Sequence, residues 1–488
     1  MVAESILNRP TSSLDLISTT TIVIASMIGV GVYTTSGFTL LSLQSPHLVV
    51  LAWAVGGGIA ICGAVGYSTL ATHFQESGGE YLFLSKTVHP AAGIMAGWVS
   101  MLAGFTGAIA AAALGIEEYV APGLNPLVES RLSQLPLPGS DDLHLPANSI
   151  AIFCVVLAGW LHCVGVRLAA RIQNGIVLMK LLMLGFFIVV ASFSIGTSNQ
   201  GFLQSVSPST PVDFDLLSFA KQLVWISFSY AGFNAAIYIS GEVSDAQRNV
   251  PRAMILGTSI VTLLYVILNA CFVYGADPEV ITNGDNLPKI AAVAAEAVGG
   301  LTMKNFVTVV IITSLFTSVS ALIMTGPRVY AKMAEDQFLP SAFSWRGQFS
   351  ILNNDKFESI PKTSIVFQCG AAILVICISS LSELLGYLGL TLSLCSALTV
   401  GSIYFIRDTG SWAAFSTRRK YFHYFASTLF VVATLILAGL YALGEFLQNK
   451  NLNPVIAALI TLGIGWVSYL RLRKQGRGSD KLNQNFKL

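Results

Sequence analysis

Gly29, Val30 and Gly31 stand in the middle of an apolar run from Leu14 to Leu43, where each glycine weakens a helix by roughly 1 kcal/mol relative to alanine. Two readings fit glycines that flank one β-branched residue. Small residues let a neighbouring backbone approach closely. Alternatively the helix unwinds, and the freed N–H and C=O groups, which lipid cannot satisfy, must be buried in protein or line a cavity. An unwound turn of that kind suits a zwitterion: freed amides at a half-helix N-terminus meet a carboxylate, and freed carbonyls meet an ammonium. Lys180 is the second group with chemistry to offer. No other residue between Ile176 and Val190 is ionisable, and a lysine near a membrane-helix centre costs about 2.5–3.5 kcal/mol on insertion scales. Snorkelling would relieve that cost only nearer the helix end, and Gln173 lies further that way. The ammonium is therefore expected to point inward, toward carbonyls and hydroxyls, as a group able to exchange a proton.

A third cluster runs from Trp225 to Glu242, with small and hydroxyl-bearing residues grouped around Gly232. It reads either as helix packing or as a second interrupted helix. Asn234 needs partners if buried, and Glu242 is either solvated or functional. The hydroxyls of Thr317, Ser318 and Ser320 are plausible acceptors for Lys180, although helical Ser and Thr often bond their own backbone.

The elements that must hold these groups are membrane helices. The chain has 488 residues, 54% of them apolar and only 11% charged, with a mean hydropathy of +0.69; one soluble core cannot absorb that much apolar sequence. Stretches long enough to cross a bilayer fall near residues 14–43, 47–72, 91–120, 148–166, 172–195, 215–240, 252–275, 303–326, 363–381, 385–406, 421–446 and 453–471. The expectation is an all-α integral membrane protein with twelve transmembrane helices. Its interrupted first and sixth spans would each open a five-helix unit, the pattern of an inverted repeat with its site at the midplane. The corresponding divisions are an N-terminal segment 1–13, a first repeat 14–195, a second repeat 215–406, two appended helices in 421–471 and a basic tail 472–488.

Charge placement orients the chain. Arg131, Lys289, Lys304 and Lys450 fall on one side and Lys180 and Lys221 within spans, while the remaining basic residues fall on the other. By the positive-inside rule both termini are cytoplasmic. The 7 cysteines all lie within spans and give no disulfide framework or zinc spacing. The 6 histidines show no paired helical spacing for a metal, no catalytic motif stands out, and no cofactor is expected. Residues 75–81 read as a turn-rich loop, Glu117 and Glu118 as acids facing water, and Pro122 to Pro146 as an irregular outside cap.

Taken in order, Met27 to Tyr33, Ser77 to Tyr81, Arg171 to Lys180, Phe228 to Asn234 with Gly241-Glu242 and Arg248 to Pro251, and Gly326 to Pro340 resemble the amino acid, polyamine and organocation superfamily. The likeness is to bacterial amino acid permeases and L-type transporter light chains, and it covers Leu14 to Pro340. It implies five plus five inverted helices with two appended, the LeuT-like fold, and an amino acid held between broken helices one and six. The amides around Gly29, Val30 and Gly31 would hold the carboxylate, and the carbonyls of Met27, Phe228 and Ala231 the ammonium. The Phe228 ring would act as an outer gate, and Asn234 would line the side-chain pocket. Lys180 would stand where distant relatives bind sodium, tied to helices one and eight through Ser318, so that transport is sodium-independent and runs by proton coupling or exchange. Val30 replaces the serine of many members, which keeps the amide. The 122–146 loop lacks the cysteine through which animal light chains join a glycoprotein, so no disulfide-linked heavy chain is expected. The expected partners are the amino acid substrate, protons in the coupled case and the lipid bilayer, with no nucleic acid. The expected location is a plasma membrane, the inner membrane if the source is bacterial. Neutral amino acids lead, because a cationic substrate would favour extra carboxylates facing the cavity and only Glu242, at its edge, is evident. Polyamine, cationic amino acid or purine transport in the same fold, and a transporter-like nutrient sensor, are the alternatives; an enzyme is not expected.

Overall fold

The computed structural model describes residues 14–74, 78–132, 148–164, 166–197, 214–282, 284–343, 347–349, 358–360, 362–406, 416–449 and 452–474. Asp15 starts the first helix, α1 (Leu16–Met27), by accepting the Ser18 amide at 2.8 Å, which satisfies a donor that a helix start leaves orphaned. The backbone is extended at Ile28 and Gly29, and α2 (Val30–Leu43) resumes with a bend of 41°. Ser45 and Pro46 then launch α3 (Pro46–His73), the serine as cap and the proline at a position whose N–H has no helical partner. After α4 (Gly79–Thr87), the third span runs as α5 (Pro90–Val99), a π-helical stretch from Ser100 to Gly107, and α6 (Ala108–Leu132). Next come α7 (Ser149–Val164) and α8 (Val166–Thr197).

The sixth span begins as α9 (Leu216–Tyr230), capped by the Asp215 carboxylate, and breaks at Ala231. It resumes as a 3-10 helix from Ala235 to Glu242. Beyond it lie α10 (Ala246–Gly275), α11 (Pro278–Thr282) and α12 (Ile290–Glu335), the last kinked at Gly299 and Gly300. A short antiparallel hairpin pairs β1 (Gly347–Phe349) with β2 (Glu358–Ile360). The chain continues through α13 (Lys362–Ile378), α14 (Leu381–Gly401), α15 (Thr417–Gly444) and α16 (Asn453–Lys474).

Among the described residues, nine helices are long and apolar enough to cross a membrane, or ten when the bent pair α1–α2 is taken as one span. Two shorter apolar helices, Ser149–Cys163 and Lys362–Ile378, lie where the fourth and ninth spans are expected. Their flanks bear the aspect of a lipid-facing bundle: Phe153, Trp160, Val366 and Leu374 are exposed, which water would penalise and lipid does not.

The centre is built on polar groups that find partners. Trp53 Nε1 donates to Ser36 Oγ (2.7 Å), which reaches Asn269 Oδ1 (2.6 Å), and Tyr230 OH donates to the Trp53 carbonyl at 2.9 Å. These bonds fasten α2, α3, α9 and α10 into one unit, since each buried donor left unpaired would cost about 1–3 kcal/mol.

Several expectations need correction. The described residues are mostly helical, as expected, with the short β1–β2 hairpin as an addition. The expected loop at 75–81 ends early: residues 79–81 already belong to the helix Gly79–Thr87, whose Glu80, Tyr81, Leu82, Phe83 and Leu84 are buried; its apolar run is too short to span and instead packs against α5. Residues 122–132 continue α6 rather than forming an irregular cap, and the rest of that loop lies outside the described residues. Glu117 does not simply face water: its carboxylate accepts the Ala151 amide at 2.8 Å, meeting the N-terminal turn of α7 as helix polarity favours. The helix of the fifth span already covers Val166 to Arg171, where a link is expected, and that of the seventh starts at Ala246, with Pro251 accommodated near its start; residue 165 lies outside the described residues.

Candidate functional site

The two breaks meet. Gly232 has φ +100°, a left-handed conformation that a side chain strains, and a Cβ there would lie 2.7 Å from Ser26 O and 3.3 Å from Met27 N. The interruption of the sixth span is thus pressed against the backbone of α1 where that helix ends. A cavity of about 170 Å³ opens beside the contact, enough for on the order of ten waters and so for a small zwitterion.

Met27, Gly29, Val30, Gly31, Phe228, Ala231 and Asn234 all line this cavity, and Ser318 does too. The two readings of the glycine pair each apply to one residue. Gly29 is part of the extended break, and a Cβ there would touch nothing closer than 3.9 Å. Gly31 is packing: its Cβ position is 2.2 Å from Ser229 Oγ and 2.8 Å from Ser229 Cα. Because α2 begins at Val30, the amides of its first turn have no intrahelical acceptor and stand at the positive end of a helix. That arrangement binds a carboxylate. Of the carbonyls, Met27 O already accepts Tyr265 OH at 2.6 Å and Phe228 O accepts the Ala231 amide at 2.9 Å. Each retains a second lone pair. Phe228 is buried at the cavity wall.

Lys180 does not line the cavity; it lies behind the first break. The side chain is 1% exposed, and Nζ donates to the Ile28 carbonyl at 3.2 Å. Ser318 Oγ approaches the same carbonyl at 3.2 Å and Ser314 O at 3.1 Å. One unwound carbonyl therefore joins α8, the α1–α2 break and α12, and takes up acceptor capacity that an unwound turn would otherwise leave unmet.

The cavity also holds residues that the sequence does not single out. Glu80, 5% exposed, lines the wall and accepts Tyr67 OH at 3.0 Å, Asn234 Nδ2 and Tyr238 OH. Asn234 thus borders the cavity with its amide committed to a carboxylate. The expectation that only Glu242 supplies an acid is overturned; the Glu242 side chain lies outside the described residues. The π-helical stretch contributes Ser100, Gly104 and Phe105, its extra residue per turn shifting which side chains face inward. The one signal for Glu80 is an acid opening a short apolar run after two glycines, and that signal also fits an exposed loop.

Ile22, Ala25 and Ser26 before the first break, and Ala235, Tyr238 and Ile239 after the second, line the cavity as well. It therefore extends toward the end of the bundle where α1 starts and the sixth span finishes. There Leu14 pairs with Val243 as a parallel bridge, and Leu14 O accepts both the amide and the hydroxyl of Ser244 at 2.9 Å.

Comparison with known proteins supplies a family. A family model described as amino acid permease matches residues 14–469. The large neutral amino acids transporter small subunit 2 of Oryctolagus cuniculus is 26% identical over 378 residues, covering 77% of this chain and 66% of that protein. The Asc-type amino acid transporter 1 of Homo sapiens is 24% identical over 396 residues, covering 80% and 71%. The serine/threonine exchanger SteT of Bacillus subtilis is 24% identical over 402 residues, covering 82% of each. The match thus spans just under two thirds of the length of the rabbit relative.

Proposed function

The chain belongs to the amino acid permease family, and on that premise we propose that it carries neutral α-amino acids across a plasma membrane by alternating access, without sodium. The observation that carries this reading is the cavity between the two breaks, with a helix start for the carboxylate and the carbonyls of Met27, Phe228 and Ala231 nearby for the ammonium. The Phe228 ring serves as the outer gate. Lys180 and Ser318 act as the coupling element: an ammonium fixed on Ile28 O repels a second cation at the same break, which favours proton coupling or exchange over sodium use. The relative named for large neutral amino acids and the one named for serine/threonine exchange support that substrate class.

In this reading the chain crosses the bilayer twelve times, the two shorter apolar helices included, as two inverted five-helix units and two further helices. Both termini are cytoplasmic, as the distribution of basic residues favours. It works without a disulfide-linked heavy chain. The test is counterflow in proteoliposomes loaded with unlabelled substrate, in sodium-free buffer, with a labelled panel of amino acids, polyamines and purines. Uptake of neutral amino acids is expected; uptake that requires sodium would remove the role given to Lys180. Glu80 favours keeping a second reading in the panel, because a buried carboxylate in the cavity is what a cationic amino acid or polyamine would seek. Preferential uptake of lysine, arginine or putrescine would establish it.

A further inference from the structure

The Glu80 carboxylate is the one acid of the described cavity wall, and three bonds join it to two elements: α3 through Tyr67, and the far side of the sixth-span break through Asn234 and Tyr238. Its donors are distributed unevenly. Oε1 accepts both Tyr67 OH and Asn234 Nδ2, while Oε2 accepts Tyr238 OH alone. A carboxylate has about four acceptor positions, two on each oxygen. Oε1 is filled, and Oε2 keeps one.

We propose that Glu80 is a specificity-determining residue that uses the remaining acceptor position of Oε2 for a substrate hydroxyl, so that the permease selects small hydroxylated amino acids over their aliphatic isosteres. The inference rests on the permease reading above and names the substrate class for that same cavity. One hydroxyl supplies one donor and matches one position. A side-chain ammonium brings three donors and a guanidinium a planar fork that wants two oxygens, so a single open position satisfies neither. An aliphatic side chain leaves Oε2 facing a methyl group, with the desolvation of a charged acceptor uncompensated. Asn234, Tyr67 and Tyr238 do not compete for the ligand. They orient the carboxylate.

The test compares serine with alanine, and threonine with valine, as labelled substrates for counterflow by the full chain in proteoliposomes. Wild-type protein is expected to favour each hydroxylated member by roughly tenfold or more in kcat/KM, the scale of a hydrogen bond to a charged group. Glu80→Gln keeps an oxygen for Tyr67 and Asn234 but puts an amide in place of Oε2. It should bring both ratios to within about threefold, since a charge-assisted bond is roughly twice as strong as a neutral one, while an unchanged size-exclusion profile and unfolding midpoint in detergent report a folded carrier. Should the variant fail to fold, the wild-type ratios still decide: equal handling of serine and alanine overturns the inference. So does an unchanged ratio in Glu80→Gln, or a wild-type preference for lysine that the variant loses. Flux of polyamines or purines with no amino acid flux would overturn the permease reading itself, and the inference with it.

Discussion

Lys180 and Glu80 show what a sequence discloses about a single residue. A lysine amid apolar neighbours announces itself, because a buried ammonium has few ways to be satisfied. Nothing comparable marks Glu80, whose local sequence fits a solvated loop equally well; only the folding of α4 into the bundle, with Tyr67 and Tyr238 brought from other elements, makes it a buried acid. For Lys180 a carbonyl partner on the first helix is expected, but not which one, since Ile28 offers its backbone and not its side chain. Lys180→Met keeps length and apolar packing while removing the charge. If the ammonium couples transport, this variant should reach the membrane and still show alanine-induced thermal stabilisation, yet lose at least tenfold in counterflow rate, the scale of a charged hydrogen bond. Lys180→Ala should remove transport as well, with a further loss of stability from the cavity it leaves, in the range of about 2–5 kcal/mol for large truncations. Normal uptake by either variant would dismiss the coupling role.

At the level of elements, hydrophobic length located the principal helices, but it could not locate every boundary or decide which glycine does what. Gly29 and Gly31 are two residues apart and chemically identical, and only the position of α9 separates them. A Cβ at Gly31 would collide with Ser229, whereas one at Gly29 would meet only ordinary contacts at 3.9 Å. The backbone at Gly29, with φ −130° and ψ −158°, is extended and open to alanine. Gly31→Ala is therefore expected to be the damaging change, by about 1–3 kcal/mol of overpacking, read as a lower unfolding midpoint in detergent and reduced yield. Gly29→Ala should leave stability within about 1 kcal/mol of wild type. The opposite order would mean that the break at Ile28–Gly29 needs glycine for its conformation. The π-helical stretch of the third span was invisible for a related reason: its composition is that of any membrane helix, and no residue type in it marks the wider turn.

Over the whole molecule, the pairing of an interrupted first span with an interrupted sixth was readable from order alone, since small residues recur at corresponding places in the two halves. Their contact was not, because it lies between backbones. Gly232 carries that contact: its φ of +100° excludes side chains for one reason, and the Ser26 carbonyl, 2.7 Å from the Cβ position, excludes them for another. Unlike a side-chain clash, this one has no rotamer to relieve it. Gly232→Ala must either strain the turn, at about 1–3 kcal/mol, or push the second half of the sixth span away from α1. If both breaks build one substrate site, separation disperses the groups that hold carboxylate and ammonium, and binding is lost together with stability. The variant should then unfold at lower temperature and show little or no further stabilisation by millimolar amino acid that stabilises wild type. Gly58→Ala is the control, since its Cβ position on α3 meets nothing within 4 Å, and it should keep both properties. A Gly232→Ala protein that is destabilised yet retains the full ligand-induced shift would show that the two breaks serve different ends, one of them structural.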